Sequence, residues 1–170
     1  MFNFHMTRYC VTFVTILTAS FCNAETDQTI EQTYAKGIKI SIETKVFDVK
    51  KHKISKCADR VCSIDGQLFF GITNSIPKQT LSRMVFELKG QKTLLDVSAM
   101  FDPGISQDNI QQRVFVKPYW GPFYLVTAKF AQKEDAYIAE WIVSIHGSTR
   151  VHLSRMTSLD KLFTDFFPQQ

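Results

Sequence analysis

Side chains able to do chemistry are few in this 170-residue chain, and their spacing fits no familiar reaction. Beyond the N-terminal apolar stretch there are three histidines, His52, His146 and His152. A zinc site needs at least a third protein ligand, and these positions form neither an HExxH pair nor a spaced Cys/His set. Gly147-Ser148 lacks the flanking glycines of a nucleophile elbow. Asp96, Asp102 and Asp108 are too widely spaced for a calcium loop. The seven glycines are scattered, so no segment cradles a phosphate. Paired carboxylates of the glycosidase kind are defined by separation in space, which linear order does not give. The expectation is a non-enzymatic protein with no catalytic residue, metal or cofactor.

Two cysteines carry the clearest chemical signal once the N-terminus is read. Residues 1–24 have the parts of a secretory signal. His5 and Arg8 stand in an acid-free start, Cys10 to Phe21 is uncharged, and Cys22-Asn23-Ala24 precedes polar Glu25-Thr26-Asp27-Gln28. A membrane span needs about 20 apolar residues, and this run is roughly a dozen interrupted by three threonines. A lipidated Cys22 would follow a small residue, and here it follows Phe21. Cleavage after Ala24 leaves only Cys57 and Cys62. An even pair in an exported chain reads as a disulfide, suited to a tight turn or a hairpin neck. A metal site would be short of ligands, and a redox pair usually has two intervening residues where this one has four.

Two surfaces could recognise something. The first is the basic run Lys45, Lys50, Lys51, Lys53, Lys56 and Arg60, with His52 inside it. It has none of the interleaved aromatics that single-stranded nucleic acid requires, and a net charge of +4 is too small to imply nucleic acid. Lys50, Lys51 and Lys53 read as a solvated edge or as a docking patch for an acidic partner. The second is Lys117-Pro118-Tyr119-Trp120-Gly121-Pro122-Phe123, a turn between strands. Tyr119 and Trp120 there are either a buried corner or exposed interface anchors.

The elements that must position these residues are mostly strands. A composition 45% hydrophobic and 21% charged is that of a globular domain, and excludes a disordered or collagen-like chain. Residues 25–36 are a polar lead-in, a loose segment or a short helical turn ending at Gly37. Ile38, Ile40 and Ile42 then alternate with polar residues, as in a half-buried strand. Lys50 to Arg60 reads as an irregular link. Asp65-Gly66 predicts a hairpin between 61–64 and 68–72, and Lys89-Gly90-Gln91 another between 83–88 and 93–98. A polar loop from Asp102 to Gln112 precedes runs at 114–116, 123–130 and 137–145. His146-Gly147 turns into 149–153. Recurrent turns every 8 to 12 residues are the spacing of antiparallel sandwiches and barrels. At the end, Leu159, Leu162, Phe163, Phe166 and Phe167 form a helical stripe over 158–167, capped by Thr157 and stopped by Pro168.

Several phrases resemble a known group of proteins. Cys62-Ser63-Ile64-Asp65-Gly66, Pro77-Lys78, Leu95-Asp96-Val97-Ser98-Ala99-Met100-Phe101-Asp102-Pro103 and Tyr137-Ile138-Ala139-Glu140-Trp141 resemble the periplasmic immunity proteins that pair with type VI secretion effectors. The resemblance spans roughly residues 55–165. It implies a periplasmic inhibitor of a toxin encoded beside it, and assigns no particular binding residue.

The expected fold is mainly β: an antiparallel sandwich or curved meander sheet, residues 37–170, closed by a C-terminal amphipathic helix. The expected function is an exported protein-binding module, periplasmic or secreted, that occludes a cognate toxin. Contact would come through loops at one end of the sheet or through an exposed strand edge. No nucleic acid and, after signal cleavage, no membrane are expected as partners. A periplasmic envelope or small-ligand-binding accessory protein is the alternative reading, and a small hydrolase the third.

Overall fold

Alternation at period two builds most of this chain. The computed structural model describes residues 26–72 and 74–156. Ten strands run antiparallel: β1 Gln28–Thr33, β2 Ile38–Val46, β3 Ile54–Cys57, β4 Arg60–Ile64, β5 Gln79–Leu88, β6 Gln91–Leu95, β7 Val114–Pro118, β8 Tyr124–Phe130, β9 Tyr137–Ser144 and β10 Gly147–Arg155. One short helix, α1 Ile110–Arg113, precedes β7. Two four-stranded sheets, ordered β1-β2-β5-β6 and β10-β9-β8-β7, enclose one core, and β3-β4 forms a separate hairpin.

The core is made by the inward face of each strand. Ile38, Ile40 and Ile42 of β2 lie opposite Leu88, Phe86 and Met84 of β5. With Phe86 they bury against Val126, Ala128, Trp141 and Val143 from the other sheet. Trp141 is fully buried, and its indole N–H donates to the Asp96 carbonyl at 2.8 Å, so the polar atom of a large apolar group is satisfied. Emptying such a site typically costs about 3–5 kcal/mol.

The turns set the register. Lys89 and Gly90 both have positive φ, 52° and 79°, the conformation a two-residue hairpin needs to follow strand twist. Ser82 is the extra residue of a bulge in β5, where Thr44 pairs with Leu81 after Glu43 pairs with Arg83.

Three expectations need correction. Residues 28–33 are not a loose lead-in: they form β1, although a helical turn at Ala35–Gly37 does end at Gly37. Ile30 is the one buried side chain of β1, so a polar edge strand shows almost no alternation in composition. Within the basic link, Ile54–Cys57 is strand β3, paired with β4. Asp65-Gly66 does make a tight turn, with Ile64 and Gln67 exchanging backbone hydrogen bonds at 3.0 and 3.1 Å. The chain then leaves the ladder, because Phe69 drops into a second small core with Phe47, Val61, Ile64 and Phe101. The hairpin partner of β4 is therefore β3, across the Cys57–Cys62 neck. The signal at 1–24 and the helix at 158–167 lie outside the described residues.

Chain direction gives the sandwich two distinct ends. The turns at 34–37, 89–90, 119–123 and 145–146 share one end, since Tyr124 pairs with Val143 and β6 runs beside β10. The entry at residues 26–27, the β3-β4 hairpin, the 96–109 loop and the exit at Met156 share the other. Tyr137 Oη donates to the Phe101 carbonyl at 3.0 Å, and Met156 N–H to the Ala136 carbonyl at 2.9 Å.

Candidate functional site

Pro118 closes β7, and the chain reverses through residues 119–123. Tyr119 N–H donates to the Phe123 carbonyl and Phe123 N–H to the Trp120 carbonyl, both at 3.0 Å. Gly121 sits at φ 55°, a left-handed position suited to glycine. This geometry resolves the two readings of the turn. Trp120 is 75% exposed and Tyr119 58% exposed, so neither is a buried corner. Phe123 is half-buried and lines a shallow depression of about 350 Å³ with Pro122, Ile142, Ser144, His146 and Ser148. Ile145, on the adjacent hairpin turn, is also exposed. Two neighbouring turns thus present apolar side chains on a rigid antiparallel support.

The lysine run is elsewhere. Lys45, Lys50, Lys51, Lys53, Lys56 and Arg60 are all exposed, at the end from which the β3-β4 hairpin springs. The ten residues of β5 cover roughly 33 Å, so the lysines and the aromatic turn stand on the order of 30 Å apart at opposite ends. Linear order cannot show this, because topology alone decides which loops share an end.

An acidic clamp orders the basic link. Asp65 Oδ1 accepts from Lys53 N–H at 2.8 Å and Oδ2 lies 2.7 Å from His52 Nδ1. The His52 hydrogen bond, then the Lys53 amide, hold the Asp65 carboxyl below its ordinary value. His52 also stacks on Phe47, centroids 4.6 Å apart. Asp48 is lowered by Lys51 and by the Lys50 amide. Cys57 and Cys62 are at disulfide distance, Cα atoms 5.7 Å apart, across the neck of this hairpin. His52 therefore positions a loop, and His152 contacts the Ser154 hydroxyl at 2.7 Å. Among the described residues, no three His, Cys, Asp or Glu side chains are grouped as metal ligands.

A second depression, about 430 Å³, is lined by Ile72, Lys78, Gln79, Asp102, Gly104 and Ala131 among others. Of its two carboxylates, Asp102 and Asp135, the first already has structural work: Asp102 Oδ1 accepts from the Lys78 and Gln79 amides at 2.9 and 2.7 Å. Burial pushes the phenols of Tyr34, to about 12, and of Tyr137 upward, and both donate to backbone carbonyls. These are structural hydroxyls.

The edges of the two four-stranded sheets are partly covered, whereas among the described residues no further strand flanks the β3-β4 hairpin. On β1, the Gln107 side chain pairs with both backbone groups of Glu31, Nε2 donating to the carbonyl at 2.9 Å and Oε1 accepting from the amide at 3.4 Å. β6 and β10 flank one another, with Ser148 Oγ donating to the Leu94 carbonyl and Arg150 to the Ser98 carbonyl at 2.8 Å. On β7, Val114 donates to Ile110 and accepts from Tyr34 Oη, and Pro118 has no N–H. Sequence reasoning did not find Gln107: a lone glutamine in a polar loop gives no signal. The chain matches no protein-family model, and no curated protein or solved structure is significantly similar to it.

Proposed function

We propose that this chain is an exported protein-binding module that occludes a partner with the end carrying Tyr119 and Trp120, most concretely an immunity protein for a secreted toxin encoded beside it. The observation that carries the reading is the 75% exposure of Trp120 at the tip of a hydrogen-bonded hairpin. Tryptophan and tyrosine are enriched among residues that dominate interface energies, and a monomer has little reason to display them together in water. At the sandwich edges, the Gln107 clasp on β1 and the contacts between β6 and β10 favour loop-end contact over addition of a partner strand there. The Cys57–Cys62 pair fits an oxidising compartment. The resemblance to periplasmic immunity proteins supplies the toxin and the periplasm.

The test is co-expression with the product of the adjacent gene, followed by pull-down. Rescue of growth and recovery of a complex that Trp120→Ala weakens would support the reading. A neighbour that is harmless and unbound would sink it.

A further inference from the structure

The end that carries Tyr119 and Trp120 is built from four hairpin turns. Sheet β1-β2-β5-β6 contributes 34–37 and 89–90, and sheet β10-β9-β8-β7 contributes 119–123 and 145–146. Tyr34 Oη donates to the Val114 carbonyl of β7 at 2.9 Å, and Thr93 Oγ1 of β6 donates to the Ser144 carbonyl of β9 at 2.8 Å. Between these corners the rings of Phe86 and Tyr124 lie 5.6 Å apart. The 34–37 turn is therefore across from β7, and the 89–90 turn across from 145–146. With strands about 4.8 Å apart and sheets about 10 Å apart, the four turns fall within an area roughly 15 Å by 10 Å. A partner footprint of about 800 Å² covers them all. β7 runs four residues past Val114 to Pro118, so the aromatic turn projects beyond the 34–37 turn.

These turns carry charge of one sign. Lys36, Lys89 and Lys117 are exposed, and among the described residues none of them pairs with a carboxylate. Lys39 and Lys92 add to them, held by Glu31 at 2.6 Å and by Glu87 at 3.8 Å. Residues 33–40, 116–126 and 141–149 contain no Asp or Glu, and Glu87 is the one acid in 86–93. At the far end, by contrast, Asp48, Asp59, Asp65, Asp102, Asp108 and Asp135 offset the basic run.

We infer that the partner proposed for this end meets it with an acidic protein surface, Tyr119 and Trp120 entering an apolar recess and Lys36, Lys89 and Lys117 facing carboxylates around it; this rests on the protein-binding role proposed above. The layout follows interface anatomy, with aromatic anchors inside and charge at the rim. Rim charges act chiefly before contact: a field of one sign draws in an opposite surface and speeds association. Trp120 instead governs how long the complex lasts. The same field repels a basic surface, which adds selectivity by exclusion.

Two measurements on protein purified after export test this. In the first, isotope-labelled protein is titrated with a poly-L-glutamate peptide as the acidic probe. Amide chemical shifts should move at residues 36, 89 and 117–120, and the effect should fade with salt. Shifts centred on residues 45–60, or spread over the whole surface, would overturn the inference. In the second, association with the product of the adjacent gene is timed at low salt. Lys36→Asn, Lys89→Asn and Lys117→Gln, asparagine suiting the positive φ of the first two, should together slow association about tenfold and leave dissociation nearly unchanged. Lys45→Gln, Lys56→Gln and Lys133→Asn remove equal charge from the far end and should associate as the parent does. Equal slowing in both triple variants would assign steering to net charge, and slowing in neither would leave the lysines idle. Either result, in a complex that still forms, overturns the acidic partner and spares the protein-binding role. Peptide shifts at this end with a neighbour that never binds would do the reverse: the toxin role falls and the acid-binding end stands. If phosphatidylglycerol vesicles shift this end and the peptide does not, it serves a membrane and the inference is wrong. Melting curves of each variant exclude unfolding as the cause.

Discussion

Tyr137 and Phe101 join the two cores of this protein through one hydrogen bond. The phenol, fully buried in the main sandwich, donates to the Phe101 carbonyl at 3.0 Å. The Phe101 ring meets Phe47 and Phe69 edge-on at 5.5 and 5.9 Å. The backbone of one residue thus ties the sandwich to the base of the basic hairpin.

Tyr137→Phe should therefore lower stability by about 1–3 kcal/mol, the cost of leaving a buried carbonyl unsatisfied. Denaturant unfolding measures it. A loss below about 0.5 kcal/mol would show that water replaces the phenol.

Gly71 stands at φ 118°, and a Cβ there would overlap the Phe101 carbonyl. Gly71→Ala is expected to destabilise by roughly 1–3 kcal/mol or more, through overpacking against backbone and through a disfavoured φ. An unchanged unfolding midpoint would mean that the 69–72 segment can move away from Phe101.

The disulfide closes a small ring, so by loop entropy Cys62→Ser should cost only about 2 kcal/mol. Intact mass of exported protein should lie below the reduced mass by two hydrogens. Two freely alkylated thiols in native material would refute the bond.

Acid should loosen the hairpin base. Asp65 has a lowered carboxyl pKa, owing first to His52 and then to the Lys53 amide. A group depressed on folding stabilises fully above its unfolded value, and that stability is lost as pH falls through the folded one. The loss should begin near pH 4, the ordinary carboxylate range, and continue below it. Asp65→Asn, at a positive φ that asparagine tolerates, should flatten this acid limb of a melting-temperature profile. Identical limbs in both proteins would assign the acid sensitivity to other carboxylates such as Asp48.

Trp120→Ala should leave the melting curve within about 0.5 kcal/mol of the parent, because the ring is mostly in water. If Trp120 anchors a partner, the same change should cost about 2 kcal/mol or more of binding, roughly thirtyfold, seen mainly as faster dissociation. A folded variant with unaltered kinetics removes this turn from the interface.

How much of this was legible depends on what each residue had to say locally. Ile38, Ile40 and Ile42 announce β2 because every second side chain is apolar, and Lys89-Gly90 announces its turn because both positions take positive φ. The run from Leu68 to Ile72 misleads for a physical reason: Phe69 packs into the satellite core, Phe70 packs on the main one and makes only an isolated bridge to Met100, and Leu68 stays in water, so the run forms no continuous strand. β1 is nearly silent, since an edge strand with Ile30 as its only buried residue has no pattern to show. At the candidate site, the composition of the Tyr119–Trp120 turn was readable, but its exposure was not. The separation of that turn from the lysines is a property of strand order, to which no single segment testifies.

The glutamine clasp on Glu31 has a consequence for how this molecule behaves at high concentration. With the amide and carbonyl of Glu31 engaged, the middle of the β1 edge offers a poorer template on which a second copy could continue the ladder. Gln107→Ala would bare the Glu31 amide and carbonyl together and give the sheet a growing point. Light scattering of concentrated solutions should then rise with time for that variant while the parent stays monodisperse, a difference in colloidal lifetime set by a single side-chain amide.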